Sequence, residues 1–450
     1  MNKAPPSSKL GRSTITGMAL AKAGASKLGH KARQWARKDD DREAAQEQHE
    51  AELGRILFRA LNQLKGSALK ISQMLSMDSD FLPAGIRREL AKGCHQVTPL
   101  NRALIHKVFQ REFAQVPEHL YGQFDSHAFA AASLGQVHHA RTTDGRAVAV
   151  KVQYPGIASA IGSDIRMLRG ILTTLGLGSD SMPDKDIIDS ATAELESKLA
   201  EELDYEHEAA QLNWFERHQK MPGIVIPRAL PELSTKRVLT MEHVDGQHLD
   251  AWLATKPDQA QRNHFGQLLF DWFWYSVCEL RHLHADPHPG NFMFMADGRL
   301  ALLDFGCTRA ISTEFTTAMA AHWRALLMPD GPARGVALLK SYIALDLLSA
   351  DLSQEDFDTQ VLPALHAVQA WKIQGFEKAQ FDFTDKLPYP AVTDRQQNKI
   401  LARAMKGYHP DMPYFDRAYL GLMHMLKSLG AVINTSIPWT TTGEKNGNNK

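Results

Sequence analysis

Residues 284–304 constrain this chain more than any other stretch. His284-Ala285-Asp286-Pro287-His288-Pro289-Gly290-Asn291 is followed by Phe-Met-Phe-Met, then Ala296-Asp297-Gly298-Arg299, then Leu-Ala-Leu-Leu, and closes on Asp304-Phe305-Gly306. Two apolar runs joined by an Asp-Gly turn predict a β-hairpin. A hairpin folds the chain back on itself, so Asn291 and Asp304 come to face one cation. His284 and His288 have the i, i+4 spacing of a metal pair, but Pro287 and Pro289 forbid the helix that would align them. Both histidines are expected to be structural hydrogen-bonders.

An Asp with an Asn five positions on is the spacing of a kinase catalytic loop, H-R-D-x-x-x-x-N. Upstream lies Val148-Ala149-Val150-Lys151, which resembles the V-A-I-K strand of kinases. It is the second of two strand-like runs, 137–141 and 147–153, joined around Thr143-Asp144-Gly145. Ahead of them stands a small-residue stretch, Ala130-Ala131-Ala132-Ser133-Leu134-Gly135-Gln136, read as a phosphate-covering loop. Residues 185–219 read as one long, strongly charged helix that must present a Glu to the lysine strand. Runs 223–228 and 237–242 read as the strands completing a small-lobe sheet. Glu242 and Val244 then sit at a hinge where a nucleotide base would pair with backbone groups. Beyond residue 258 the pattern is mainly helical, with further helices at 315–327, 336–348, 360–371, 395–405 and 419–432.

Phosphoryl transfer depends on charge neutralisation and alignment more than on covalent chemistry. Asp304 is placed to hold the Mg²⁺ that bridges phosphates, and Asn291 to hold a second; hard Mg²⁺ prefers such oxygen donors. Asp286 would orient or deprotonate the attacking hydroxyl or water. Lys151 would pair with phosphate oxygens. ATP and Mg²⁺ are therefore the expected cofactors.

Composition narrows the partners. Lysine plus arginine equals aspartate plus glutamate, 51 of each, so no polyelectrolyte signal points to nucleic acid. Three cysteines, Cys94, Cys278 and Cys307, form no paired motif and exclude a zinc or disulfide framework. No apolar run approaches the ~20 residues of a membrane-spanning helix. Residues 1–38 are basic and acid-free, which fits a transit peptide, a membrane-surface segment or a disordered tail.

Taken together, these motifs resemble the UbiB/AarF (ADCK-type) family of atypical kinases over roughly residues 50–435. The likeness rests on Lys70-Ile71-Ser72-Gln73 for the family's K-x-G-Q motif and on the alanine-rich stretch at 130–136. It rests also on Glu202-Leu203-Asp204 for E-x-D, on His288-Pro289-Gly290-Asn291, and on Asp304-Phe305-Gly306. The resemblance implies an α+β, bilobal protein-kinase-like fold with a helical N-terminal extension over the active site. The expected divisions are a basic flexible N-terminus (1–45), the extension (46–125), an N-lobe (126–245), a helical C-lobe (246–435) and a disordered tail (436–450). It also implies that Lys70 points into the pocket and pairs with Glu202 and the Asp204 carboxylate, leaving Glu208 as partner of Lys151.

Two departures matter. Ser72 replaces the motif glycine, and Ala285 replaces the Arg of H-R-D, with no A-P-E after Asp304-Phe305-Gly306. A segment for docking protein substrates is thus missing. The resemblance implies ATP or ADP binding with ATPase or small-molecule or lipid kinase activity, supporting ubiquinone (coenzyme Q) biosynthesis. Expected partners are an anionic membrane surface, quinone or lipid intermediates and proteins of a biosynthetic complex. Expected location is a bacterial cytoplasm with peripheral membrane contact, or the matrix side of the mitochondrial inner membrane. The competing readings are a nucleotide-binding pseudokinase scaffold and an antibiotic-type small-molecule phosphotransferase.

Overall fold

A computed structural model describes residues 40–61, 70–72, 74–75, 82–91, 101–132, 134–176, 185–376, 378–390 and 395–439. The fold is α+β and protein-kinase-like. The chain divides into two compact units, one of residues up to Ala210 with Ala229–His243, the other of Gln211–Arg228 with Val244 onward.

The first strands along the chain are β1 (Gln123–Ala132), β2 (Gly135–Arg141), β3 (Ala147–Gln153), β4 (Ile224–Val225) and β5 (Val238–Glu242). In the first unit β1, β2, β3 and β5 form an antiparallel sheet in that order. Side chains alternate across a strand, so Val148, Val150 and Val152 share one face. They pack with Ile105, Val108 and Phe109 of the helix Arg102–Phe113 and with Tyr121. Ala149 and Lys151 take the opposite face.

A second apolar cluster in this unit is entirely helical. Leu53, Leu57 and Leu61 of α1 (Asp40–Leu61) meet Ile71 and Leu75, and Ile86 and Leu90 of α2 (Ala84–Ala91). They are joined by Ile161, Ile165, Leu168 and Leu172 of the helix Ile157–Gly176, which the sequence reading passed over, and by Leu195 and Leu199. Gly54 permits the crossing of α1 and α2, since a Cβ there would lie 2.8 Å from Glu89 Cβ.

Three expectations are corrected here. Residues 130–132 are not loop: they end β1, with Ala130, Ala131 and Ala132 paired to Val137, Gln136 and Gly135. The charged helix is two helices, Lys185–Glu201 and Tyr205–His218, broken at residues 202–204. Asp204 imposes the break by accepting the His207 N–H at 3.1 Å, as an N-cap does. Gln153 Nε2 holds it by donating to the Leu203 carbonyl at 2.7 Å. Finally, β4 does not complete the first sheet. It pairs parallel with residues 300–301 of the second unit, and only β5 extends the first.

The second unit is built on the helices Gln259–Tyr275 and Met412–Leu429. Asp258 and Gln261 close the first of these with a reciprocal capping box. Short strands follow, β6 (His282–His284), β7 (Phe292–Phe294), β8 (Leu300–Leu302) and β9 (Thr308–Ala310). The helix expected at 419–432 starts earlier, at Met412, and stops at Gly430 in the left-handed region (φ 60°). Val432 instead begins a strand, Val432–Asn434, against Gln380–Asp382. The tail expected from residue 436 is corrected at its start: Ile437 and Trp439 are buried, with Trp439 5.1 Å from the Trp274 ring. Burying these two apolar side chains outweighs the polar composition around them. Residues 1–39, expected to be a basic N-terminus, and residues 440–450 lie outside the described residues. Residues 40–45 of that expected segment belong to α1.

Candidate functional site

In the second unit, β7 and β8 form the hairpin in the register Phe292↔Leu302, Met293↔Ala301 and Phe294↔Leu300. Gly298 turns it at φ 86°, a backbone that glycine adopts without strain. The fold-back lets the Leu303 N–H donate to the Asn291 carbonyl at 2.9 Å, which makes Asn291 and Asp304 neighbours. β6 and β9 pair beside it, and the Ala285 N–H donates to the Cys307 carbonyl at 3.0 Å.

His284 is fully buried, and burial holds its imidazole below the ordinary value. It donates from Nε2 to the Asp304 carbonyl at 2.6 Å. His288 Nδ1 accepts the Gly290 N–H at 3.1 Å. Both histidines thus shape the loop. Phe305 is completely buried, 4.7 Å from the Phe215 ring and 5.0 Å from His284.

Asp286 receives two donors. Asn291 Nδ2 lies 2.9 Å from its Oδ2 and 3.1 Å from its carbonyl oxygen. Arg417 Nη2 lies 3.1 Å from its Oδ1 and 3.6 Å from Cys307 Sγ. Asp304 Oδ1 accepts the Gly306 N–H at 2.9 Å. Because Asn291 Nδ2 is turned to Asp286, its side-chain Oδ1 is the atom that would face a cation. No group of three or more His, Cys, Asp or Glu fit for a metal occurs among the described residues. One carboxylate and one amide oxygen still suit Mg²⁺, which is commonly held by one or two carboxylates together with substrate phosphates.

The segment after Gly306 is tied down. Arg309 donates to Asp411 Oδ1 at 2.7 Å, and the Ser312 N–H donates to Oδ2 at 3.1 Å. Burial pushes the Asp411 carboxyl up, but the Ser312 N–H and Arg309 outweigh it and hold it below the usual carboxylate range.

In the first unit, Lys151 Nζ lies 2.9 Å from both carboxylate oxygens of Glu208, with side chains 8% and 2% exposed. The Tyr205 ring centre lies 4.9 Å from the same ammonium. Lys70 Nζ is 2.5 Å from Glu202 Oε1. Asp204 caps its helix by accepting the His207 N–H. Gly135 is required by close approach, for a Cβ would lie 2.4 Å from the Val152 carbonyl oxygen. The Gln136 side chain is buried on the helix-packed face, 2.8 Å from His138 Nε2. Glu242 is exposed at the end of β5, opposite Val148. Val244, half-buried, belongs to the second unit. Gln73 and Ser133 lie outside the described residues.

Arg417 is the site residue that sequence reasoning missed. It sits 131 positions from Asp286 in an apolar helix. Its only local signal is a charge one turn before Gly421, where a Cβ would fall 2.1 Å from Pro287 Cγ. The last long helix therefore touches the 286–287 loop twice on one face.

Known proteins support the fold. Residues 92–333 match the ABC1 atypical kinase-like domain. The chain is 34% identical over 270 residues to the zebrafish (Danio rerio) atypical kinase COQ8B, mitochondrial, covering 59% of this chain and 42% of that protein. It is 28% identical over 344 residues to the Saccharomyces cerevisiae atypical kinase COQ8, mitochondrial, covering 75% of this chain and 65% of the relative. A Mycobacterium tuberculosis structure, the complex of Rv3197 with erythromycin, shares the fold at a TM-score of 0.56 and 23% identity, covering 88% of this chain and 96% of that one. The chain spans less than half the length of the zebrafish relative. No helix among the described residues is long and apolar enough to cross a membrane. With more than half its length matched by the family model, the chain belongs to the ABC1 atypical kinase-like family, the UbiB/ADCK group.

Proposed function

We infer that this protein binds Mg·ATP and acts as an atypical kinase or ATPase supporting ubiquinone biosynthesis or related membrane lipid metabolism. The observation that carries the reading is the Lys151–Glu208 pair, a bidentate ion pair buried on the sheet face opposite the helix-packed valines. A lysine steadied in this way by a helix carboxylate is the device phosphoryl-transfer enzymes use to orient phosphates. Asn291 and Asp304 would hold Mg²⁺, which when bound neutralises phosphate charge. Asp286, engaged by Asn291 and Arg417, orients the attacking hydroxyl or water. The end of β1 at residues 130–132 and the Gly135 backbone would cover the phosphates, and the backbone around Glu242 and Val244 would meet the base. Lys70, joined to Glu202, would link the helical extension to the nucleotide site. The working location is a membrane surface reached peripherally, where quinone or lipid intermediates and partner proteins are at hand.

The test is ATP turnover by the purified chain. Hydrolysis should require Mg²⁺, rise with anionic liposomes and vanish in Asp304→Asn. Equal hydrolysis by wild type and variant removes the assigned metal site. A second reading, a nucleotide-binding scaffold, draws on the double engagement of Asp286, whose two carboxylate oxygens each accept a hydrogen bond from a neighbouring side chain. Tight nucleotide binding without turnover, even with membranes and quinone precursors, would decide for it.

A further inference from the structure

The helix Met412–Leu429 opens on an aspartate that does not cap it. Asp411 stands at the N-cap, where an aspartate ordinarily accepts an N–H of the first turn. Its side chain makes no such bond. Both carboxylate oxygens are turned instead to the segment after Gly306. Oδ1 accepts from Arg309 at 2.7 Å, and Oδ2 accepts from the Ser312 N–H at 3.1 Å. The carboxylate is buried, with its side chain 4% exposed. Forgoing the cap forfeits helix stability, so the grip on residues 309 and 312 calls for an explanation beyond packing.

Asp411 also begins a row. Residues three and four apart on a helix are neighbours on one face, and Asp411, Tyr414, Arg417 and Gly421 follow that spacing. The Tyr414 ring centre lies 5.1 Å from the Arg309 guanidinium. Arg417 reaches Asp286 at 3.1 Å and Cys307 Sγ at 3.6 Å. A Cβ at Gly421 would meet Pro287. The start of the row thus bears on residues 309–312, its end bears on residues 286–287, and Arg417 touches both arms. The arms themselves join in one ladder. β6 pairs with β9 through Leu283↔Arg309 and His284↔Thr308, and the Ile311 N–H donates to the Arg281 carbonyl at 2.9 Å. The turn that carries Asp304 leads directly into β9.

We propose that Asp411 is a positioning residue: by gripping Arg309 and Ser312 it fixes β9 and the turn before it, and so sets the Asp304 carboxylate relative to Asp286. This rests on the reading of Asp304 as a metal-holding residue and adds the group that aligns it. In switchable kinases the segment after the Asp-Phe-Gly turn is ordered by phosphorylation, through new arginine–phosphate pairs. Asp411 supplies bonds of the same kind, a charge-assisted one from a guanidinium and one from a backbone N–H. Its carboxylate is always present, so the alignment is built into the fold and needs no modification. Because one helix carries Asp411 and Arg417, the two arms are held as parts of a single body.

The test measures ATP turnover against Mg²⁺ concentration, beside metal-free ATP binding, in wild type, Asp411→Asn, Asp411→Ala, Arg309→Ala and the double alanine variant. Misplacing a reacting group by about 1 Å costs on the order of a hundredfold in rate. Asp411→Ala should lower turnover toward that extent and raise the Mg²⁺ concentration for half-maximal rate, with metal-free ATP affinity unchanged. Asp411→Asn and Arg309→Ala, which each keep an acceptor for the Ser312 N–H, should fall between. The double variant should be no slower than Asp411→Ala alone, since effects within one pair do not add. Phosphatase treatment of the wild type should change nothing. Wild-type turnover and Mg²⁺ dependence in Asp411→Ala overturn the proposal. So does equal loss of turnover and ATP affinity in every variant, which marks a merely structural pair, and so does a phosphatase-sensitive wild type. In each of these cases the wild type still needs Mg²⁺, so the metal reading stands. A wild type whose turnover is absent, or indifferent to Mg²⁺, removes both.

Discussion

Arg417 and Asp286 are joined by a hydrogen-bonded ion pair of 3.1 Å, although 131 residues separate them in the chain. Asn291 grips the other carboxylate oxygen. Asp286 is therefore positioned from two sides, by its own loop and by the helix Met412–Leu429. The guanidinium fixes direction as well as charge, because its donors are planar and rigid.

Removing Arg417 should loosen a positioned carboxylate without emptying the nucleotide site. Misplacing a reacting group by about 1 Å costs on the order of a hundredfold in rate. Arg417→Ala is expected to lower the ATP turnover number toward that extent while leaving the dissociation constant for Mg·ATP near wild type. Arg417→Lys, which keeps charge but loses the fork, should fall between them. Single-turnover rates beside equilibrium titration separate the two effects, and an unchanged turnover number would remove Arg417 from the site.

Gly421 is the second point of contact between that helix and the loop. Alanine in a helix interior gains about 1 kcal/mol over glycine. Here the added Cβ would lie 2.1 Å from Pro287 Cγ, and overpacking of this kind costs roughly 1–3 kcal/mol. Gly421→Ala is thus expected to lower stability or leave it level where an ordinary helix would gain, and to slow turnover by displacing residues 286–287. Urea denaturation with an activity assay checks both; a stabilised, fully active variant would refute the close approach.

The Lys151–Glu208 pair is buried enough for its loss to register in folding. Removing one partner of a buried pair typically costs about 3–5 kcal/mol, because the other charge is stranded. Glu208→Ala should show a loss of that order. Replacing both residues, Lys151→Met with Glu208→Leu, should recover most of the stability and none of the turnover. Recovery of turnover in the double variant would mean that Lys151 has no role with phosphates.

Lys70 and Glu202 lie nearer the surface, with side chains 15% and 19% exposed. Their pairing is expected to matter more for nucleotide handling than for folding. Lys70→Ala should alter nucleotide preference or autophosphorylation with a change in stability under about 1 kcal/mol. The charge swap Lys70→Glu with Glu202→Lys distinguishes pairing from a direct contact of Lys70 with nucleotide. Behaviour identical to wild type in Lys70→Ala would show that the extension does not act on the site.

Acid should weaken the fold in two steps. His138, His284 and His322 are each held below the ordinary imidazole value, chiefly by burial. Unfolding raises their proton affinity, so their contribution is complete above about pH 6.5 and is lost as pH falls toward their lower folded values. Asp411, held below the carboxylate range, contributes above about pH 4 and loses its share only as pH falls further. The melting temperature should therefore decline below about pH 6.5, before carboxylates titrate. His322→Asn, able to keep the bond from the His322 Nδ1 position to Ser341 Oγ, should flatten that first decline. A melting temperature constant down to about pH 5 would contradict it.

Local chemistry made much of this legible in the sequence. The Asp297-Gly298 turn announces the hairpin that joins Asn291 to Asp304, and a continuous apolar strand announces Lys151. Alanines hide strand alternation because they carry no contrast between faces, so residues 130–132 read as loop although they are paired. The break before Tyr205 contains no Gly or Pro; it depends on Asp204 as a cap and on Gln153, fifty residues upstream of Leu203. Ile157, Ile161, Ile165, Leu168 and Leu172 do show helical spacing, so that helix was readable. The pairing of β4 with β8 and the reach of Arg417 to Asp286 are non-local, and nothing in either segment alone encodes its partner.

The helix that steadies the loop is also made long after it. A ribosome adding roughly 5–20 residues per second releases Asp286 about 7 to 26 seconds before the partner 131 residues downstream has been synthesised. During that interval the growing chain holds Lys151, Asn291 and Asp304 but lacks the helix whose Arg417 engages Asp286. Chemical competence is therefore among the last properties the nascent protein acquires, and a chain cut short before residue 412 would emerge with the parts of the site but not their alignment.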